Sequence, residues 1–306
     1  MDIAITSGYV VPVDGDPIDG GTVLISGGKI TAVGTASEVT VPDGVEVVDA
    51  SGQWVLPGFV EAHGHIGVHE ESVGWAGDDT NEMTDPNGAR LRALDAVNPG
   101  DQGFVDALMG GVTSSVIKPG SGNPIGGRTV AIKNWGRSME DRLLKEPASV
   151  KSALGENPKR VYGNKDTLPS TRQGVAAVIR DAFTTAQDYK AKRDHAAAEG
   201  TPFTRDNTSE VLLRVLEGEI PWCQHTHRAD DIHTAIRLAD EFGYRLVINH
   251  TTEGHLLADE IAERDIPVII GPLMTSRSKL EVQNRTLANP GILHRAGVKI
   301  ALTTDH

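Results

Sequence analysis

Short apolar runs separated by turn residues dominate the first 55 positions of the chain. Thr22–Ile25 and Lys29–Gly34 are rich in β-branched residues and flank the turn Ser26-Gly27-Gly28, and a break of Pro, Asp and Gly covers Pro12–Asp16. Runs of this length between turn residues are typical of β-hairpins. No helical period competes with them, so we predict a small all-β domain over residues 1–55.

From Trp54 onward the pattern changes to short, mostly apolar strands that alternate with helices. Near-continuous apolar strands are expected where a parallel sheet is buried on both faces. Eight such runs are present: Val55–Ala62, Val112–Ile117, Thr129–Lys133, Val150–Leu154, Ile220–Gln224, Arg245–Asn249, Pro267–Ile270 and Val298–Thr304.

Helical patterns lie between these runs. The clearest is Ala229–Phe242, whose apolar residues recur at i, i+3, i+4 and i+7 and which Gly243 ends. Thr171–Ala198, Glu253–Glu263 and Pro290–Ala296 are further candidates. Eight strands with intervening helices predict an α/β fold, a (β/α)8 TIM barrel over residues 56–306.

The composition narrows the class of protein. The 306 residues carry 29 Lys plus Arg against 42 Asp plus Glu, a formal charge of −13, which argues against a nucleic-acid or anionic-membrane surface. No apolar run reaches the length of a membrane span, and the first residues do not form a signal peptide. The single Cys223 excludes an internal disulfide framework. We therefore expect a cytoplasmic protein with neither a membrane nor a nucleic-acid partner.

A histidine pair follows the first predicted barrel strand. Side chains two residues apart lie on the same side of a strand, so His63 and His65 would point to one place. Two neutral imidazoles that converge in this way are natural Zn ligands. An isolated pair of this kind is more often a surface or loop feature, so the motif indicates little by itself.

Other strand ends supply matching groups. The predicted fifth strand runs into His225 and His227, the sixth into His250, and the eighth into Asp305. The carboxyl ends of barrel strands meet on one face, where function concentrates. Imidazoles from three strands and one carboxylate therefore predict a metal site on that face.

These residues lie in segments that resemble a known family. Val55–His65, with the sequence VLPGFVEAHGH, resembles the first-strand signature of the amidohydrolase superfamily, and Val23–Gly34 is similar to the small β-sandwich that precedes its barrel. Gly155–Gly163 and His227–Ile232 resemble the branch near imidazolonepropionase and the Xaa-Pro-dipeptidase-like proteins. The resemblance implies a TIM barrel with an N-terminal β-sandwich.

The resemblance also implies a mechanism. A divalent metal, Zn first with Mn or Fe as alternatives, one or two per chain, would be held by His63, His65 and either Asp305 or the later histidines. It would bring the pKa of a bound water to about 7 and polarise the substrate carbonyl. Asp305 would be general base and then general acid. His225 and His250 would bind a second metal or stabilise the oxyanion, which makes His250 a catalytic candidate beside Asp305.

A bridging ligand from the fourth strand is expected if two metals bind. Glu156 is the first candidate, and Lys151, carbamylated by CO2, is an alternative on the same strand. Lys118, at the end of the second strand, is a further candidate, and Glu156 could instead pair with a neighbouring cation. The candidates for substrate binding are His227, Arg228 and His255, which follow the ligand strands.

We predict a hydrolase that acts on a carbon–nitrogen bond other than a peptide bond in a small molecule, with a dipeptidase as an alternative. The bond would belong to an amide, a cyclic amide or an amino-acid derivative. Two other classes stay open, namely a non-catalytic scaffold relative and a metal-dependent isomerase or decarboxylase on the same barrel. Symmetry statistics favour a homodimer.

The family pattern continues beyond the eighth strand with a helix and with strands that complete the sandwich. Because the sequence stops at His306, we expect it to be a fragment in which this C-terminal completion is missing.

Overall fold

The computed structural model describes residues 2–274 and 279–306. It separates into a first compact unit that ends at Phe59 and a second that begins at Val60. The strands of the first unit are β1 (Ile3–Val10), β2 (Ile18–Ser26), β3 (Lys29–Thr35), β4 (Glu46–Asp49) and β5 (Trp54–Val55).

The first unit holds one five-stranded sheet. Its order is β3-β2-β1-β4, with β5 also paired to β1. The β1, β2 and β3 strands are antiparallel neighbours, which confirms the predicted hairpins, and β4 and β5 run parallel to β1. Gly27 and Gly28 have φ values of 58° and 75°, so the turn between β2 and β3 uses a left-handed backbone that favours glycine. Because the strands described in residues 2–59 form a single sheet, the two-layer sandwich stays a prediction.

The second unit contains ten strands and eight α-helices among its described residues. The strands are β6 (Phe59–Gly64), β7 (Val112–Ile117), β8 (Ile125–Arg128), β9 (Val130–Lys133), β10 (Leu143–Lys145), β11 (Val150–Ala153), β12 (Trp222–Thr226), β13 (Leu246–His250), β14 (Val268–Ile270) and β15 (Ile300–Leu302). The helices are α1 (Gln102–Met109), α2 (Met139–Arg142), α3 (Glu156–Gly163), α4 (Arg172–Glu199), α5 (Asn207–Leu216), α6 (Ala229–Phe242), α7 (Ala258–Glu263) and α8 (Asn289–Arg295). Short 3-10 helices cover Gly74–Gly77, Ala93–Asp95, Gly254–Leu256 and Leu280–Val282.

The strands of the second unit form two sheets. Five consecutive strands, β11 to β15, are parallel neighbours in a six-stranded sheet of order β15-β14-β13-β12-β11-β8. The other sheet has the order β10-β9-β7-β6. The α/β class is therefore confirmed, and the carboxyl ends of β11, β12, β13, β14 and β15 lie along one edge.

The third predicted barrel strand differs from expectation. In place of one parallel strand over Thr129–Lys133, the chain forms β8, antiparallel to β11, and β9, antiparallel to β7. Gly127 has a φ of 129°, and a Cβ there would lie 3.0 Å from the carbonyl oxygen of Leu91. Glycine permits this close approach of two backbone segments within β8, which the apolar pattern alone does not reveal.

The core of the second unit forms where helices cover the six-stranded sheet. Phe183 of α4 lies with its ring centroid 4.9 Å from that of Trp222 on β12 and 5.1 Å from that of Tyr244. Ile232, Ala235 and Ile236 of α6, the stripe that the sequence predicts, are buried in the same cluster. Over residues 2–274 and 279–306, no helix is long and apolar enough to cross a membrane.

Candidate metal centre

The histidine pair at the end of β6 lies inside the second unit. The side chain of His63 is fully buried and that of His65 is 20% exposed, and their ring centroids lie 5.4 Å apart. Both residues fall on the same face of β6, as the two-residue spacing predicts. The nearby carboxylate of Glu61 accepts hydrogen bonds from the backbone N–H groups of His63 and Thr304.

His225 and His250 meet although strand alternation would separate them. His225 pairs with Asn249 across β12 and β13, so His250, one residue further, should face the other way. Its φ of 69° breaks the extended backbone at that point. The His250 ring centroid consequently lies 4.4 Å from that of His225 and 4.8 Å from that of His63. A left-handed conformation is costly for a non-glycine residue and is commonly found at functional sites.

Asp305 follows β15 and reaches the histidine pair of β6. Its Oδ1 lies 3.0 Å from Nε2 of His63 and 3.5 Å from Nε2 of His65. Thr303 fixes the turn, because its hydroxyl accepts the backbone N–H of Asp305 and donates to the carbonyl oxygen of His63. Asp305 also has a left-handed backbone, with φ of 61°.

These side chains surround one cavity of about 210 Å³. Five of its eight titratable lining residues are histidines, and two lysines and one carboxylate complete that set. The lining residues are His63, His65, Ser121, Lys151, Asn157, His225, His227, His250, Thr252, Pro272, Lys279, Val282 and Asp305.

The donor atoms of this cavity fit a divalent metal. Two groups have ligand atoms that all lie within 4.8 Å of one another: His63, His250 and Asp305, and His225, His227 and His250. Neither ring nitrogen of the buried His225 has a hydrogen-bond partner among the described residues. Imidazole nitrogen and carboxylate oxygen are the ligands that Zn and similar cations take in proteins.

Hydrogen bonds to backbone carbonyls orient two of the rings. Nδ1 of His65 donates to the carbonyl oxygen of Lys118 over 2.8 Å, and Nδ1 of His250 donates to that of Gly271 over 2.7 Å. Each bond leaves Nε2 as the nitrogen with a free lone pair. This is the usual way in which a protein fixes the tautomer of a metal-binding histidine.

The surroundings keep the histidines neutral. Burial, reinforced by nearby lysines and histidines, lowers the pKa of His63, His225 and His227 well below the ordinary value. Burial also lowers the pKa of His250 to about 4. Neutral imidazole is the form that binds a metal.

The surroundings also shift the pKa values of Asp305 and Lys151. Burial by itself would raise the pKa of the Asp305 carboxyl, but the close contacts with His63 and His65, together with nearby His250, outweigh it and hold that pKa below its usual range. Burial and the charge of Lys118 lower the pKa of Lys151 to about 8. Asp305 is therefore ionised at neutral pH.

The structure does not bring Glu156 to the cavity and places Lys151 there instead. Gly155, with φ of 89°, turns the chain after β11, so Glu156 begins α3 outside the set of lining residues. Lys151 on β11 is 1% exposed, and its Nζ lies 3.5 Å from Nε2 of His63. Lys118 is buried and is not among the lining residues, with Nζ at 3.2 Å from Sγ of Cys223.

Of the three predicted substrate-binding residues, one lines the cavity. His227 does, and its Nδ1 lies 2.8 Å from the Thr252 hydroxyl. Arg228 is outside the lining and donates two hydrogen bonds to the carboxylate of Asp230, so a local ion pair already occupies its guanidinium. His255 lies on the 3-10 helix Gly254–Leu256, also outside the lining.

Four lining residues were missed from the sequence. Ser121, Asn157, Thr252 and Lys279 come from loops and helix ends, where no periodic pattern identifies a side chain as facing a site. The Pro119–Gly127 stretch, rich in Gly and Pro, marks a tight loop but does not single out Ser121.

Comparison with known proteins identifies the relationship. A crystal structure of an amidohydrolase from Thermotoga maritima MSB8 is 47% identical, with a TM-score of 0.95, over 99% of this chain and 79% of that one. The chain belongs to the amidohydrolase superfamily. This confirms the predicted family, in its imidazolonepropionase-like branch, and the predicted class of enzyme, hydrolases of carbon–nitrogen bonds other than peptide bonds.

Two curated relatives support the relationship. The amidohydrolase tasK of Hapsidospora irregularis is 32% identical over 263 residues, which are 78% of this chain and 27% of tasK, so the chain spans about a quarter of that relative. An imidazolonepropionase from Caulobacter sp. (strain K31) is 25% identical over 94% of this chain and 73% of the relative. No family model matches the chain.

Proposed function

We propose that this amidohydrolase uses a divalent metal, Zn in the first instance, to hydrolyse the carbon–nitrogen bond of an amide, a cyclic amide or an amino-acid derivative. The observation that carries the proposal is the convergence of five histidines and Asp305 on one cavity from the ends of four strands. Neutral imidazoles without hydrogen-bond partners would destabilise a packed core, because leaving a buried polar group unpaired costs about 1–3 kcal/mol of folding free energy.

We assign the ligands from the contacts of Asp305 and from the group of three later histidines. His63, His65 and Asp305, joined by contacts at 3.0 and 3.5 Å, would hold one metal, and His225, His227 and His250 offer the nitrogens for a second. A divalent cation supplies a Lewis acid and lowers the pKa of water, which yields a nucleophile at neutral pH. Lys151 takes the fourth-strand position that Glu156 was expected to fill.

Asp305 accepts and then donates the proton in the proposed mechanism. Its ionised carboxylate accepts a proton from the attacking water, whose oxygen bonds to the carbonyl carbon. The same carboxyl then donates that proton to the leaving nitrogen as the carbon–nitrogen bond breaks, so Asp305 ends the cycle ionised. His63 and His65 hold the carboxylate in place through the contacts at 3.0 and 3.5 Å. If one metal binds rather than two, the imidazole N–H of His225, which has no partner among the described residues, is suited to stabilise the oxyanion, whereas His250 has already given its N–H to the carbonyl of Gly271.

We further propose that the second unit is the predicted (β/α)8 barrel. Five consecutive parallel strands support it, as do contacts between the first and last strands. The hydroxyl of Thr303 donates to the carbonyl of His63, and the backbone N–H of His65 donates to the carbonyl of His306 over 2.6 Å. Contacts of this kind are expected where a parallel sheet closes on itself.

Metal analysis of the purified full chain is the first test. We expect one or two Zn per chain by elemental analysis, removal by a chelator, and recovery on adding Zn. His63→Asn should lose most of the bound metal, whereas His195→Asn, which alters an exposed histidine on α4, should retain it. Absence of uptake with Zn, Mn and Fe by a folded chain would sink the proposal and favour the scaffold class.

Turnover separates hydrolysis from the other chemistries of such a site. A panel of amides, cyclic amides and N-acyl amino acids, followed by mass spectrometry, should show addition of water across a carbon–nitrogen bond. Asp305→Asn should lower kcat by about 10²–10⁴-fold, the range attributed to general acid–base catalysis. Rearranged or decarboxylated products without added water would replace the hydrolase proposal with the isomerase or decarboxylase alternative.

A further inference from the structure

The cavity is cationic although the chain is acidic. In a chain with a formal charge of −13, the described cavity wall carries two lysines, Lys151 and Lys279, and a single carboxylate, Asp305. Lys151 is 1% exposed and lies against His63, so it is not open to a ligand that enters from solvent. The side chain of Lys279 is 23% exposed, which makes it the accessible cation of the wall.

Buried contacts hold Lys279 at the cavity. It precedes the 3-10 helix Leu280–Val282, whose Glu281 is only 1% exposed. One carboxylate oxygen of Glu281 accepts the backbone N–H of Glu156 over 2.6 Å and a hydrogen bond from Arg172 over 3.2 Å. A Cβ at Gly155 would crowd that oxygen, so the glycine lets Glu281 reach the start of α3. These contacts pin the segment that carries Lys279 against α3 and α4.

The ammonium of Lys279 keeps its hydrogen-bonding capacity. Its Nζ lies 3.8 Å from Glu281 Oε2, which is too far for a hydrogen bond, and no hydrogen bond from it is found among residues 2–274 and 279–306. Arg172 already partners Glu281 from the opposite side. An ammonium has three donors, and partial burial without acceptors is unfavourable. Lys279 is therefore prepared for an anion that enters the cavity.

The Ser121 hydroxyl adds a second donor to the same wall. Its oxygen accepts a hydrogen bond from Nδ2 of Asn157 over 2.8 Å, which leaves the hydroxyl hydrogen free to donate. No acidic side chain other than Asp305 lines the described wall, and Asp305 is engaged by His63 and His65. Lys279 and Ser121 thus provide two donors on this wall, which suit a carboxylate better than a cation.

We propose that Lys279 is a specificity-determining residue that binds a carboxylate of the substrate, so that the substrates are amides bearing a carboxylate, such as N-acyl amino acids. The inference rests on the proposed function, because it places the scissile bond at the histidines and Asp305. Lys279 takes this role rather than Arg228, one of the predicted substrate-binding residues, because Asp230 already occupies the guanidinium of Arg228.

Binding to the metal-free chain tests the inference without turnover. N-acetylalanine and N-acetylalaninamide differ in the carboxylate alone, and their affinities can be compared by calorimetry. We expect the acid to bind at least about tenfold more tightly, consistent with a charge-assisted hydrogen bond. Lys279→Met should bring the ratio close to one, Lys279→Arg should keep most of it, and Lys299→Met, which alters an exposed lysine outside the cavity, should leave it unchanged.

The outcomes are distinguishable. A ratio near one in the wild type, including failure to bind either compound, or a ratio that survives Lys279→Met in a variant folded by circular dichroism, would overturn the inference. Selective, Lys279-dependent binding of the acid by a chain that hydrolyses neither compound would leave the anion site standing and remove the hydrolase proposal. With metal-loaded enzyme, Lys279→Met should lower kcat/KM for the acid by at least about tenfold and for the amide by less than about threefold.

Discussion

Four buried histidines should make the stability of the metal-free chain depend on pH. His63, His225, His227 and His250 are all at most 5% exposed, and burial lowers the pKa of each. In the unfolded chain a histidine titrates near 6.5. Between that pH and the lower folded-state pKa, the unfolded state binds more protons than the folded state. Stability is therefore complete above about pH 6.5 and is lost as the pH falls through this window.

The magnitude can be worked out for His250. Its pKa falls from 6.5 to about 4. Linkage over that interval removes about 2 kcal/mol between pH 7 and pH 5, and about 3 kcal/mol by pH 4. The other three histidines act in the same direction. Because a whole domain is stable by about 5–15 kcal/mol, we expect the metal-free chain to unfold above pH 4.

Urea unfolding of chelator-treated protein at pH 7 and pH 5 measures this dependence. His250→Asn removes one titrating group, so the loss of stability between the two pH values should shrink by about 2 kcal/mol, whatever the variant does to stability at pH 7. His195→Asn controls for mutation of a histidine. If wild type and His250→Asn lose the same free energy between pH 7 and pH 5, the assignment of His250 as a buried neutral imidazole is refuted.

Three further substitutions test other contacts. Gly155→Ala should cost about 1–3 kcal/mol in thermal unfolding, more than Gly200→Ala, since a new Cβ at Gly155 meets Glu281 Oε1 whereas Gly200 faces open space. Glu61→Gln should weaken Zn affinity about tenfold in chelator competition. The new amide would turn an N–H group toward a backbone N–H group that now donates to the Glu61 carboxylate. Phe183→Ala should cost about 3–5 kcal/mol in urea unfolding, because it empties the aromatic core beside β12.

Strand ends were the part of the site that the sequence could predict. Apolar runs locate the strands, and the two-residue period of a strand then places His63 and His65 on one face. The same reasoning brought His225 and Asp305 to the carboxyl edge. His250 also lies beside the other histidines, as predicted. It does so through a left-handed backbone, which the strand pattern does not predict.

The bridging residue expected on the fourth strand could not be chosen from the sequence alone. Glu156 is nearer the carboxyl end of β11 than Lys151 and was preferred for that reason. The turn at Gly155 diverts it into α3, while Lys151, inside the strand, points to the cavity from below. A glycine that adopts a positive φ changes the direction of everything after it, and a single sequence does not show which glycines do so.

Arg228 lies outside the cavity lining for another physical reason. A guanidinium suits a carboxylate of a substrate and a carboxylate of the protein equally well. Asp230, two residues later, occupies it, and the helix start at Ala229 brings the two side chains together. Competition of this kind is settled by geometry, which the spacing of charged residues along a chain does not contain.

The groups proposed to carry the chemistry and the group proposed to select the substrate lie in different parts of the second unit. The imidazoles and Asp305 sit on or next to strands whose backbone hydrogen bonds fix them within the sheet. Lys279 lies outside the strands, and the buried carboxylate of Glu281 next to it contacts α3 and α4 rather than the histidines. Replacing Lys279 should therefore change which substrates bind and leave the arrangement of metal-binding atoms intact. Replacing Glu281 should release Lys279 and, with it, the selection for a carboxylate, while metal content stays the same.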